Sequence, residues 1–386
     1  MWLCGVNLNR NFTDYSKTYK VYSIFCICSV LFFNFQTFYW TIYADETFGE
    51  KVFRGTFAIG AVITLFRMIS LILYQNEITE FFKWIKTCYR THPEKLIGIY
   101  SHDLFEKLLK WIKKLLNIFG LITTVGGSSL IIFPIASGSS NLIVPISIPF
   151  MPSKGYPYFE INYVTQAIAV YLTGLAYNSY IFLYIFILTH VSTALDVILA
   201  ICENVGCYEE KIYEKEAARF DKIKKVIFVE YEPEFRFEKL LPVIVDYHKD
   251  VSRFINKISD FYSINILLWE LNTVLLSFSS FIIILKYPEL LFEFPVVLAS
   301  ASQYFLVTYF SSKIKDKYEK ISFVIYCSKW YYLKKRQRSS LLNVMMMSQQ
   351  TKCMTSGGFA HLSMERFRSV MGFTYNVCVL LKSIFY

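Results

Sequence analysis

Arg67, His190 and Glu270 are ionisable side chains set in, or at the border of, long apolar stretches. A hydrolase or acyltransferase working inside a membrane needs catalytic groups at that depth, and it needs them paired. Each of these three stands without a motif around it, and His361, ahead of the final apolar segment, reads as an interface residue. The nine cysteines, Cys4, Cys26, Cys28, Cys88, Cys202, Cys207, Cys327, Cys353 and Cys378, form no CxxC pair and no Cys/His cluster with zinc-ligand spacing. The sequence therefore argues against an enzyme, and no metal or cofactor is expected. Cys202 and Cys207 read as reduced cytoplasmic thiols. Arg67, near the far end of its apolar run, is placed to snorkel or to pair within a bundle. Glu270 and Gln303 are the polar groups expected to find partners there.

The elements that must carry these residues are membrane helices. Of 386 residues, 54% are hydrophobic and only 18% charged, with a mean hydropathy of +0.38. A soluble chain usually carries about a quarter charged residues. The net charge of +10 does not indicate nucleic acid, because the basic residues cluster beside the apolar runs. The first apolar run is too long for a cleaved signal and reads as an anchor that stays.

Seven spans are expected. They cover Val21 to Tyr43, Gly55 to Tyr74, Leu115 to Ser137, Ile161 to about Leu195, Phe261 to Leu285, a sixth opened by Glu293-Phe294-Pro295 and ending near Ser312, and a seventh between Met364 and Lys382. The seventh holds Arg366, Arg368, Ser369, Thr374, Tyr375, Asn376 and Lys382, too many polar groups for a helix in contact with lipid all round. It belongs inside a bundle or beside water. Gln75 to Lys114 is amphipathic at helical spacing. Ser137 to Tyr158, with Pro145, Pro149, Pro152 and Pro157, reads as an ordered lid over the span ends. Asp196 to Lys257 mixes charges at spacings that support exposed helices, broken at Glu230-Tyr231-Glu232-Pro233-Glu234. Ser339 to Gln350 is expected to form a short helix. No repeated halves of the kind transporters show are visible.

Lysine and arginine fall 31 to 5 between the two sides of this arrangement. The richer side is cytoplasmic by the positive-inside rule, so the amino terminus lies inside and the carboxyl terminus outside. The sequon Asn11-Phe12-Thr13 then faces the cytoplasm and stays unmodified.

With this topology the whole chain resembles the insect odorant receptors, and among them a ligand-tuning subunit rather than the shared co-receptor. The carboxyl end carries most of the likeness: Trp330 and its basic stretch, the Leu341 to Met347 helix, Gly357-Gly358-Phe359, Leu362-Ser363, Phe367 and Thr374-Tyr375 before an apolar finish. Tyr163 and Gln166 also fit the family's fourth span.

The resemblance implies an all-α membrane protein of inverted seven-helix topology. Residues 1–312 would form the ligand-binding bundle with its cytoplasmic extensions, and residues 313–386 a cytoplasmic anchor and a pore-lining last helix. It implies an odorant-gated, non-selective cation channel. The channel is a heterotetramer with the odorant receptor co-receptor, sits in the plasma membrane of olfactory neurons, and works without a G protein. A gustatory receptor of the same fold is the alternative. Through Thr374-Tyr375 the family's apolar constriction falls on Cys378, with Tyr375 and Lys382 on the same helical face. The family's pocket, in the outer half of the bundle, falls on Phe57, Ala61 and Thr64; on Thr124, Gly127 and Ile131; and on Tyr171, Gln303 and Tyr304. A volatile ligand calls for such an apolar cavity with few polar anchors.

Overall fold

In a bilayer, an uncharged run must satisfy its own backbone hydrogen bonds, and a single segment can do so only as a helix. The computed structural model follows this rule. It describes residues 17–43, 48–90, 106–114, 117–118, 128, 131–132, 142–143, 146–152, 155–203, 205, 237–286 and 294–385. Among them run α1 (Lys17–Tyr43), α2 (Phe48–Leu73), α3 (Gln75–Arg90), α4 (Tyr158–Glu203), α5 (Phe237–Lys286), α6 (Phe294–Cys327), α7 (Lys335–Ser348) and α8 (Met364–Phe385). Residues 106–114 are also helical, while most of the expected third span lies outside the described residues, with Thr124 and Gly127.

Three helices are long and apolar enough to cross a membrane, over Ile24–Tyr43, Tyr158–Glu203 and Ile244–Phe281. Ala58–Leu73 and Gln75–Lys86, bent by 69° at the break between them, make a fourth if taken as one broken span. The three match the expected first, fourth and fifth spans, and the bent pair joins the expected second span to the amphipathic segment that follows it. α6 and α8 are not among them, and α8 carries Glu365, Arg366, Arg368 and Lys382 within its 22 residues.

Two helices run further than the hydropathy suggests. α5 begins at Phe237, well ahead of Phe261, inside the segment expected to form exposed helices. Its buried Ile244, Tyr247, Val251, Phe254, Ile255 and Ile258 recur at helical spacing, while Lys249, Asp250, Arg253 and Lys257 lie on the solvent side. α6 likewise continues to Cys327 through buried Ile314, Tyr318, Ile321 and Ile325, so the boundary expected at residue 312 falls within an unbroken helix. One core joins α2 to α8. It gathers Leu71, Phe81, Tyr184, Trp269, Tyr304, Leu341 and Val370, with α6 lying along α4 as its main packing pair. Where α6 runs on past residue 312, Lys317 Nζ donates to Asp196 Oδ2 at 2.5 Å and Ser192 Oγ at 2.8 Å. Burial pulls the pKa of this lysine down, and the Asp196 carboxylate pulls it back up.

The lid expected from the prolines is pinned at several points. Trp40 Nε1 donates to the Ser147 carbonyl at 2.6 Å, Gln166 Nε2 donates to the Ile146 carbonyl, and Asn162 Oδ1 accepts from the Ile148 amide at 2.7 Å.

Ahead of α8 the chain folds into a two-stranded hairpin, Thr355–Ser356 against Ala360–His361. Gly357 and Gly358 turn it with φ of +61° and +81°, a region that L side chains rarely occupy. The Gly357 amide donates to the Ser263 carbonyl at 2.9 Å, so the turn is anchored on α5. A Cβ on Gly357 would lie 2.5 Å from Phe359 Cε1 and 3.2 Å from Leu267 Cδ2. Gly357→Ala is expected to cost about 1–2 kcal/mol from the backbone region alone. The thermal midpoint of the purified chain measures it. Just ahead of the hairpin, burial pushes the Cys353 thiol up from its ordinary pKa, so it stays protonated beside His361 Nδ1 at 2.9 Å.

Candidate functional site

Two polar centres lie in the interior of the bundle. The first is Arg67 of α2, fully buried, with the centroid of the Tyr177 ring 4.1 Å from its guanidinium carbon, that of Trp269 at 4.6 Å and that of Tyr180 at 5.7 Å. Tyr177 and Tyr180 sit three residues apart on α4, and Trp269 and Asn272 three apart on α5, so each pair shares one helix face. Asn272 Nδ2 donates to Tyr177 Oη at 3.3 Å. The Trp269 ring also lies 5.6 Å from Tyr184 and 6.0 Å from Tyr180, and Tyr262 stands edge-on to both tyrosines. The cationic side chain is thus held against aromatic faces, whose negative quadrupole stabilises it out of water.

The second centre is Glu270, next in sequence to Trp269. Its Oε1 meets Arg366 Nη2 of α8 at 2.5 Å, and its Oε2 accepts from Ser356 Oγ of the hairpin at 2.9 Å. This one carboxylate holds three elements together: α5, the hairpin and the first turn of α8. Tyr304, buried on α6, places its ring 5.5 Å from that of Phe367, also in the first turn of α8. The bundle interior and the base of the last helix therefore form one packed unit.

The sequence-expected pocket residues lie as follows. Ala61 is buried with Phe33, Ile146 and Ala169 under the lid, and its carbonyl accepts from Asn34 Nδ2 at 3.3 Å. Thr64 is buried one turn further along α2, its hydroxyl donating to the Gly60 carbonyl at 2.8 Å. Phe57 lies on α2, and its side chain is outside the described residues. The Ile131 carbonyl accepts from Tyr163 Oη. Gln303 Nε2 donates to Asn178 Oδ1 at 3.2 Å, and Tyr304 is buried beside the Glu270–Arg366 pair. Tyr171 is exposed on the flank of α4. Gln303 and Glu270 have the partners within the bundle that were expected of them.

On α8, Val370, Thr374 and Cys378, at intervals of four residues, are buried against the rest of the chain, while Tyr375 and Lys382 are exposed. The three residues expected on one face are divided: Cys378 continues the inward stripe, and Tyr375 and Lys382 lie on the outer side with Val379. The aromatic enclosure of Arg67 was not foreseen in the sequence. Its signal was there as two same-face pairs, Tyr177 with Tyr180 and Trp269 with Asn272, in apolar runs that could face an intramembrane arginine.

A long-helix bundle with an aromatic interior, an apolar lid and a semi-polar last helix tied to its base is the architecture of a polytopic membrane receptor. The chain belongs to the 7tm odorant receptor family, whose model, described as "7tm Odorant receptor", matches residues 47–375. In fold it is similar to the insect olfactory receptor OR5 of Machilis hrabei, solved in complex with eugenol. That likeness has a TM-score of 0.78 at 14% identity over 99% of this chain and 94% of that one. A second solved structure of the same receptor gives a TM-score of 0.77 at 14% identity, over 97% and 91%. No curated protein sequence matches the chain.

Proposed function

We propose that the chain is the odorant-sensing subunit of an odorant-gated cation channel, assembled with the co-receptor in the membrane of an olfactory neuron. It crosses that membrane seven times, with the amino terminus inside. The observation that carries the reading is the contact between the ligand-side bundle and the last helix. Tyr304, an expected pocket residue, packs its ring on Phe367, and Glu270 of α5 grips Arg366 in the same turn. A ligand that favours one arrangement of α5 and α6 acts through these two contacts on α8, which shifts a closed/open equilibrium by its differential affinity for the two states.

In this proposal α8 lines the pore. Tyr375, Val379 and Lys382 are spaced by four and three residues and are all exposed in the single chain, so this face is free to meet a central path. Cys378 sets the inward edge of the same face, with Lys382 one turn beyond it. The pocket proposed for the odorant is the region bounded by Phe57, Ala61, Thr64, Thr124, Gly127, Ile131, Tyr171, Gln303 and Tyr304, under the lid. The eugenol bound by the Machilis receptor supports a small-molecule ligand of comparable size.

Co-expression with an odorant receptor co-receptor in oocytes, followed by a panel of esters, terpenes, aldehydes and alcohols, is expected to give odorant-evoked inward currents. These currents should persist when G-protein signalling is blocked by a non-hydrolysable GDP analogue. A tag after Tyr386 should be reachable on intact cells. Loss of the currents under the block, or a tag reached only after permeabilisation, rejects the proposal.

A further inference from the structure

Arg67 is fully buried beside the Tyr177 side chain, yet its Nε, Nη1 and Nη2 make no hydrogen bond of good geometry, and no carboxylate among the described residues lies within salt-bridge reach. Glu270, the acid nearest in sequence to the enclosing Trp269, is engaged with Arg366 and Ser356. The aromatic faces offset the charge of the guanidinium. They leave its N–H donors unmet, and a guanidinium carries five. Trp269 Nε1, a donor only, is unpartnered as well, as are Tyr180 Oη and Asn272 Oδ1. Buried polar groups are almost always paired. The four open donor nitrogens, three on Arg67 and one on Trp269, exceed the two open oxygens, Tyr180 Oη and Asn272 Oδ1, so the cluster is short of acceptors.

We propose that Arg67 and its aromatic enclosure form a binding site for the carbonyl or carboxylate oxygen of a small ligand, with the guanidinium fork as donor and Trp269 Nε1 beside it. The planar fork matches two oxygens of one carboxylate or ester better than it matches a single atom. A cation is repelled by the site, and a hydrocarbon leaves the same donors open. Arg67 lies six residues beyond Ala61 on α2, about 9 Å further along the helix axis. Thr64 is only one turn away, and Asn178, the partner of Gln303, follows Tyr177 in sequence, so the site adjoins the pocket expected under the lid and extends it onto α5. It stands on this geometry alone and does not need the channel reading.

The test uses the full-length chain in nanodiscs and reads the thermal midpoint against concentration for hexanoate, methyl hexanoate and heptane. The two oxygen-bearing probes are expected to raise the midpoint, and heptane at matched concentration is not. Arg67→Met should weaken the half-maximal concentration of the oxygen-bearing probes at least tenfold while leaving heptane unchanged. Should that variant fail to fold, Arg67→Lys keeps the charge without the fork and should weaken hexanoate and methyl hexanoate severalfold. Oxygen-bearing probes no better than heptane in the wild-type chain, or a preference that survives in whichever variant folds, overturns the proposal. So does a midpoint that follows chloride, exchanged for gluconate, with no further gain from either organic probe. A chain that shows the expected shift but passes no odorant-evoked current supports this site and sinks the channel reading.

Discussion

Arg366→Ala is expected to destabilise the folded chain by about 3 kcal/mol, and to do so more than Glu270→Gln. The asymmetry follows from where each group sits. The Glu270 side chain is only 7% exposed and that of Arg366 is 36% exposed, so removing the arginine strands a carboxylate that water does not reach. Breaking a buried pair by deleting one partner costs about 3–5 kcal/mol. The lower end applies because Ser356 Oγ still donates to Glu270 and the arginine was partly wetted. Glu270→Gln leaves Arg366 able to turn towards solvent, for about 1–2 kcal/mol. Arg366 also stands in the first turn of α8, where the helix dipole disfavours a cation. It is kept there by its partner rather than by local preference. The double variant Glu270→Leu with Arg366→Met should recover much of the loss, since matched apolar replacement of such a pair is often neutral or stabilising. Thermal midpoints of the wild type, Glu270→Leu, Arg366→Met and the double variant close the cycle, and additive losses would mean that the pair does not act as one unit.

What could be read in advance follows the distribution of charge. The first, second and fourth spans announce themselves because Val21 to Tyr43, Gly55 to Tyr74 and Ile161 to Leu195 hold almost no charged residue, Arg67 being the exception. The described part of the lid, residues 146–152, was legible from its prolines, and the α7 helix from the run after Ser339, although it begins a turn earlier at Lys335. The full length of α5 and α6 was harder to see. Charges such as Lys249, Asp250 and Arg253 lower the average over a stretch whose buried stripe, Ile244 to Ile258, shows only in its period. Partnership was not legible at all. Glu270 was marked as needing a partner, but nothing in its surroundings names Arg366, ninety-six positions away. Cys378 shows the same limit on a finer scale. Its spacing places it within 60° of Tyr375, and only the packing of α8 decides that the border between inside and outside falls between them.

The second large effect is expected at Trp269. It is 1% exposed, and its ring touches the aromatic system of Tyr180 and Tyr184 and lies over Arg67. Truncating a buried tryptophan costs about 3–5 kcal/mol through lost transfer and the cavity left behind. Its aromatic contacts add about 0.5–1.5 kcal/mol each beyond area, so Trp269→Ala belongs at the upper end of the range. Trp269→Phe keeps a ring for Tyr184 and gives up the indole, for about 1–2 kcal/mol. The informative arm is the combination with Arg67→Met. If the indole face helps to hold a guanidinium without a counter-charge, the cost of losing the ring depends on whether the charge is present. The cycle should then return a coupling of about 1–2 kcal/mol, the range of a desolvated cation–π contact. A coupling near zero would leave Tyr177, the closer ring at 4.1 Å, as the group that carries the cation. Trp269 would then be a packing residue whose loss is the same with or without Arg67.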